Sequence, residues 1–352
     1  MSFEAFLREQ MKKHPSMQPQ DVVKMCYQAA FGAEHLLLDL DVAKSYLEKE
    51  YAEVVATKDE LYEQISDTVC RINLSAWKAD GLPLEWLFRM FVASCRVEQN
   101  GKEKFAECLQ AAERCIGAMC FAENEWTKYL AEYKKNGMPS VHHSEYYRAN
   151  EHPSYRIVDS RFCRILPILK KTKEYVDGNK PCIIAIDGRA ASGKTTLANC
   201  LQTVLAADVI HMDDFFLPPI LRTEERLNEA GGNIHYERFV EEVLPFIFVK
   251  KPFSYRVFDC SIMDFGGMCE IGDKQFRIVE GSYSHHPKFG KYANITAFCD
   301  VTPEEQIGRI RKRNGEKMLQ MFRSRWIPME EKYFEHYSIK DNDDLRGRTF
   351  PT

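Results

Sequence analysis

The residues best suited to chemistry stand in one short run. Gly188-Arg189-Ala190-Ala191-Ser192-Gly193-Lys194-Thr195 fits G-x-x-x-x-G-K-[ST], with Thr196 directly after it. Small residues at this spacing let successive backbone N–H groups turn inward around an anion, and a helix opening there adds its partial positive charge. Lys194 is then placed to neutralise the β- and γ-phosphates of a nucleoside triphosphate. Thr195 offers its hydroxyl to a divalent ion. ATP and Mg²⁺ are the cofactors expected of such a loop.

Other charged groups follow at useful positions. Asp213 and Asp214 stand after the apolar run Asp208-Val209-Ile210-His211-Met212, where a carboxylate can accept a hydroxyl proton. Glu280 ends the run Phe276-Arg277-Ile278-Val279 and is suited to hold Mg²⁺ directly or through water. Arg309 and Arg313, four apart, share one face of a helix opened by Thr302-Pro303. Such a pair can close over a transferring phosphoryl group, whose developing charge it would spread. A solvated charged helix is the competing reading.

These groups need a sheet edge to meet at. Runs 182–187, 208–212, 276–280 and 295–301 read as strands, and 194–206, 237–248 and 303–314 as helices, an alternation that implies a parallel sheet with crossover helices. Residues 1–157 read as an all-α domain of unassigned role, with helices expected near 41–54, 58–76, 83–99, 102–118 and 122–135. A linker helix is expected over 158–177, and the α/β P-loop domain over 178–352. The fold class is therefore multidomain, all-α followed by α/β.

Composition agrees with two domains and narrows the partners. The chain has 352 residues, 45% apolar and 28% charged, room for about two cores. With 48 basic and 52 acidic residues the formal net charge is −4, so no global positive field recruits nucleic acid or an anionic membrane. No apolar run approaches the ~20 residues of a membrane helix. The 12 cysteines are scattered, with no Cys-x-x-Cys pair, and are read as reduced, which places the protein in the cytoplasm. The expected partner is a small-molecule acceptor, and a homo-oligomer is left open.

Five segments in order, GRAASGKTT (188–196), HMDDFF (211–216), GGNIHYERF (231–239), YRVFD (255–259) and IVEGSYSHHP (278–287), resemble the uridine kinase family, grouped with phosphoribulokinase and pantothenate kinase. The resemblance covers roughly residues 178–340. It implies an ATP:alcohol phosphotransferase with Asp213 as general base, Glu280 as the magnesium-side carboxylate, Arg309 and Arg313 as lid arginines, and Tyr255 in the segment that packs a nucleoside base. One position departs. Where nucleoside kinases of this type place an Asp for the ribose hydroxyls, this chain has His235, and a neutral imidazole offers only one donor and one acceptor. Asp259, Tyr236 and Arg238 are the nearest substitutes, and weak use of uridine or cytidine is expected.

The first 150 residues carry no recognised motif. The polar cluster His142, His143, Ser144, Glu145, Tyr147, Arg148, Pro153, Tyr155 and Arg156 reads first as a docking loop of stacked aromatics and paired charges, and second as part of a site. His35 and Asp39 share a helix face and could form a metal pair, although a satisfied histidine is the better reading. The alternative to a kinase is a P-loop ATPase regulator whose helical domain binds a partner.

Overall fold

The computed structural model describes residues 2–33, 39–95, 100–118 and 120–342, so His35 lies outside the described residues. The chain divides into two units, Met1–Cys163 and Arg164–Thr352. Among the described residues, no helix is long and apolar enough to cross a membrane.

The first unit is mostly helical. Its core is built on the helix Pro19–Phe31, which buries Val22, Val23, Met25, Cys26, Ala29 and Ala30 against Phe6, Phe105, Leu109 and Trp126 of neighbouring helices. Helices Leu40–Glu53, Leu84–Ser94, Gly101–Arg114 and Glu123–Lys135 lie near the expected spans. Asp39 caps the first of these, its Oδ1 accepting from the Asp41 and Val42 N–H groups at 2.9 and 3.0 Å, so that carboxylate serves the helix terminus.

The segment 58–76 departs from the helix expected there. Strands β1 (Tyr62–Gln64) and β2 (Val69–Asn73) form an antiparallel sheet with β3 (Tyr155–Asp159), in the order β1-β2-β3, so the unit is not purely α. β2 is buried on both faces, and its apolar run is interrupted by Arg71, a buried cation held by Gln10 at 2.7 Å and Glu63 at 3.1 Å. Its guanidinium lies between the Phe6 and Tyr155 rings. The expected linker helix is likewise divided: Val158 and Asp159 end β3, Ser160–Cys163 closes the first unit, and Leu166–Thr172 opens the second.

The second unit holds a four-stranded parallel sheet of β4 (Cys182–Gly188), β5 (Asp208–His211), β8 (Phe276–Glu280) and β9 (Ile295–Cys299), in the order β5-β8-β4-β9. Between β5 and β8 the chain makes an antiparallel hairpin of β6 (Phe253–Asp259) and β7 (Asp264–Ile271), which the sequence reading left unassigned. Residues 237–248 form two short helices, Tyr236–Glu242 and Leu244–Ile247. Buried Arg277 at the start of β8 closes this region by donating to the carbonyls of Phe246, Ile247, Lys251 and Gly272 at 2.8–3.0 Å. From β4 the chain runs to β5 and β8 on one side and then to β9 on the other. The carboxyl edge beside β4 is therefore a topological switch point, where open α/β sheets hold ligands.

Candidate active site

The loop 188–195 leaves β4 at this edge. Gly188 has φ +141°, and a Cβ there would stand 2.1 Å from the Cys299 carbonyl oxygen, so the exit past β9 accepts glycine alone. Gly193, at φ +97°, caps the helix Lys194–Leu205. The N–H groups of Lys194, Thr195 and Thr196 begin this helix without intrahelical acceptors. Ser192 Oγ is buried without a hydrogen-bond partner among the described residues. Unpaired donors around a concave loop suit an oligophosphate.

Part of the loop's hydrogen bonding is already satisfied by protein. Lys194 Nζ donates to the Gly188 and Arg189 carbonyls, both at 2.9 Å, and to Ser282 Oγ at 3.3 Å. Glu330, on the helix Ile327–His336, accepts from the Ala190 N–H at 2.9 Å and from Ser282 Oγ at 2.8 Å. Burial pushes the Glu330 carboxyl up. The Arg189 side chain turns away from the loop's inner face, pairing with Asp300 at 3.0 Å and with Glu331, so only its backbone belongs to the cradle. Sequence reading did not find Glu330 or Ser282. Glu330 lies 140 positions from Ala190, and no local pattern marks it.

Asp187, fully buried on β4, fixes the turn after β8. Its Oδ1 accepts from the Gly188 and Tyr283 N–H groups at 2.7 and 3.1 Å, and its Oδ2 from the His285 N–H and the Tyr333 hydroxyl at 3.0 and 2.9 Å. That turn places Glu280, which β-register sets opposite His211 of β5. His211 Nδ1 lies 2.6 Å from Glu280 Oε1, and this hydrogen bond raises the imidazole's pKa. The Thr195 hydroxyl reaches both Glu280 oxygens at 3.4 Å. A hydroxyl and a carboxylate facing each other across the loop are hard oxygen donors of the kind Mg²⁺ takes.

The two aspartates after β5 have different surroundings. Asp214 Oδ2 accepts from the Tyr255 hydroxyl at 2.8 Å, and its backbone carbonyl accepts from Arg238. Asp213 has no hydrogen-bond partner for its carboxylate among the described residues. It opens into a cavity of about 590 Å³ lined also by Asp214, Phe216, Val257, Phe258, Asp259 and Met268. Although its outer edge meets solvent, the surrounding protein desolvates it, and this, with Glu280 and Asp214 nearby, pushes its carboxyl up against the opposing effect of Lys194.

Of the four residues expected at the substrate, the structure brings one to this cavity. Asp259 lines it, its carboxylate held below the usual range by the Ser261 hydroxyl and N–H at 2.6 and 2.7 Å. Tyr255 is fully buried, its ring against Phe215, and so positions Asp214 with no face left for a base. Arg238, 1% exposed, stacks on Phe215 and Phe265. Burial lowers it to about 10. His235 caps the helix Tyr236–Glu242, accepting from the Arg238 N–H at 3.4 Å, and lies 3.2 Å from Glu237. Apolar packing and a helix terminus, both invisible in the motif, claim these three.

The arginine pair also divides. Arg309 donates to the Ala191 carbonyl at 3.3 Å. Arg313 is exposed and donates to Asn314 at 2.8 Å. Gly315, at φ +78° and ψ 173°, breaks the helix Pro303–Met321 just beyond it.

A glycine-rich loop joining a central parallel strand to its helix, with carboxylates on the adjacent strand ends, defines the second unit as an α/β P-loop nucleotide-binding domain. No family model matches the sequence. The structure is similar to that of a possible uridine kinase from Bacillus stearothermophilus, at 18% identity and TM-score 0.41, covering 54% of this chain and 98% of that one. It is similar also to a protein provisionally described as a fructose transport system kinase from Silicibacter sp. TM1040, at 19% identity and TM-score 0.42, covering 48% of this chain and 93% of that one.

Proposed function

We propose that this chain transfers the γ-phosphoryl group of ATP to a hydroxyl of a small neutral acceptor. The carrying observation is the inequality of the two aspartates: Asp214 is locked by Tyr255, while Asp213, with no hydrogen-bond partner among the described residues, lines the 590 Å³ cavity. In this reading the backbone N–H groups of 193–196 and Ser192 receive the phosphates. Lys194 exchanges its carbonyl partners for phosphate oxygens, and Arg309 adds charge at Ala191. Mg²⁺, held by Thr195 and Glu280, would neutralise charge on the phosphates. Asp213 takes the acceptor's hydroxyl proton as the new O–P bond forms.

The cavity also speaks to the acceptor. Asp213, Asp214 and Asp259 all belong to its wall, together with Phe216, Phe258 and Val257. Such a wall accepts hydroxyl donors and repels phosphate esters. A polyhydroxy compound such as a sugar or nucleoside fits better than a sugar phosphate. The test is ADP release from ATP with uridine, cytidine, free sugars and sugar phosphates. Stimulation by a neutral hydroxyl compound supports the reading, and stimulation by sugar phosphates alone contradicts it.

A further inference from the structure

The first unit contains a cavity of about 940 Å³, lined among others by Lys24, Gln28, Tyr46, His143, Arg148 and Tyr155. This is the upper end of the size range of small-molecule sites. Lys24 projects from the core helix Pro19–Phe31 and is 9% exposed. Its ammonium has no hydrogen bond or ion pair among the described residues. Burial, reinforced by Arg148, lowers it to about 8. His142, on the same wall, is lowered by burial and then by Lys24 and Arg148. Three basic groups therefore face one space.

Asp39, Glu50 and Glu53 also line the cavity, Asp39 capping its own helix, and no ion pair joins any of them to Lys24 among the described residues. Asp21, fully buried, accepts from His143 Nδ1 at 2.8 Å, from the Ser144 N–H and hydroxyl at 2.9 and 2.7 Å, and from the Gln18 N–H at 3.0 Å. Glu50 is paired with Arg156 at 2.7 Å. An unpaired buried ammonium costs stability and is kept only where something else recovers it.

Beside Lys24 runs a second feature. Because Asp21 accepts from Nδ1–H, His143 Nε2 is left to accept from the Tyr155 hydroxyl, at 2.6 Å. Burial lowers His143 to about 4, so the ring is neutral. Gln28 Nε2 donates to the same phenol oxygen at 3.1 Å. A carboxylate, an imidazole and a phenol are thus linked in series, and His143 and Tyr155 both belong to the cavity lining.

We propose that this cavity is a second ligand site, taking a small organic oxyanion whose carboxylate or phosphate ester sits against Lys24 and Arg148. It is independent of the P-loop chemistry. The polar cluster His142–Arg156, first read as a docking loop, is its wall.

Calorimetry on the full chain with glycerol 3-phosphate and with 3-hydroxybutyrate tests this, the two probes separating a phosphate ester from a carboxylate. Phosphate binding at the P-loop is common to native and variant proteins, so the Lys24-dependent part is read. At least one probe is expected to bind the native chain and to lose about ten-fold or more in affinity on Lys24→Met. Lys24→Arg should retain binding within about three-fold. Lys24→Met should also melt higher than the native protein, because it removes an unpaired buried charge, so lost binding is not lost folding. Arg148→Met, an exposed substitution, should weaken the same probe by about three-fold or more. If neither probe binds the native chain more tightly than Lys24→Met, or if Lys24→Met lowers the melting temperature and leaves probe binding unchanged, the proposal is overturned.

Discussion

Replacing Asp213 by Asn separates the chemistry from everything else the residue does. The amide keeps the shape of the cavity wall but cannot take a proton from the acceptor. The loss of a positioned general base lowers kcat by ~10²–10⁴-fold, about 3–5 kcal/mol of transition-state stabilisation. ATP affinity should stay within about three-fold, because the carboxylate makes no hydrogen bond to the loop. Stability should move the other way. Desolvation by the surrounding protein raises the pKa of Asp213, an exposed residue, above its ordinary value in the folded chain, so the native state holds its proton to higher pH than the unfolded state does. Native stability from this group is complete below the unfolded pKa and falls as pH rises through the folded one. Asp213→Asn should therefore melt at least as high as the native protein at neutral pH, with the difference vanishing in acid. The acid limb of the native pH–rate profile should lie above the ordinary carboxylate range for the same reason. Asp214→Asn is the control: its amide oxygen still accepts from the Tyr255 hydroxyl, and turnover should fall by less than about ten-fold. Steady-state kinetics, nucleotide binding and thermal unfolding on the two variants measure all of this. A larger loss of turnover in Asp214→Asn, or an equal loss of ATP affinity and kcat in Asp213→Asn, refutes the assignment.

Lys194→Ala should nearly abolish phosphoryl transfer while thermal unfolding stays cooperative, because the ammonium serves the ligand. Arg309→Ala should lower kcat by about ten-fold or more, as expected for a charge aimed at the reacting group, and Arg313→Ala by less than about three-fold. Equal effects of the two would show that the helix presents both. Glu330→Ala leaves the Ala190 N–H without its acceptor, at about 1–3 kcal/mol for a buried group, while the Ser282 hydroxyl keeps the Gly188 carbonyl at 3.0 Å. Lower melting temperature together with weaker ATP binding is expected, and unchanged ATP binding would contradict its support of the loop. His235→Asp keeps a good helix cap, so acceptor preference should be unchanged, as read from nucleoside-dependent ADP release. A marked gain in uridine use would place His235 at the acceptor after all.

What the sequence disclosed follows from how local each feature is. The loop 188–195 is contiguous, and its strand and helix flank it directly, so motif and context agree. The placement of Asp213 and Glu280 at one sheet edge was legible because parallel strands end there together. Glu330, Ser282 and Asp187 act across 48 to 146 positions, and only the folded chain brings them together. Tyr255 and Arg238 were misjudged for the opposite reason. Their types suggest recognition, but a fully buried ring and a guanidinium stacked on Phe215 and Phe265 set the position of Asp214. In the first unit the hairpin of β1 and β2 did carry a signal, the turn Ser66-Asp67-Thr68 before the run Val69–Asn73. Buried Arg71 obscured it, since a cation at an inward position reads as solvent-facing.

The claim of acceptor phosphorylation stands or falls on one coupled measurement: ADP released and phosphorylated acceptor formed by the native chain, with and without a neutral hydroxyl acceptor, followed together. Equal amounts of ADP and phosphorylated acceptor, with little ADP in the acceptor's absence, are the predicted result. ADP release that is indifferent to every acceptor and is matched by free phosphate would contradict it, and would make the chain an ATPase.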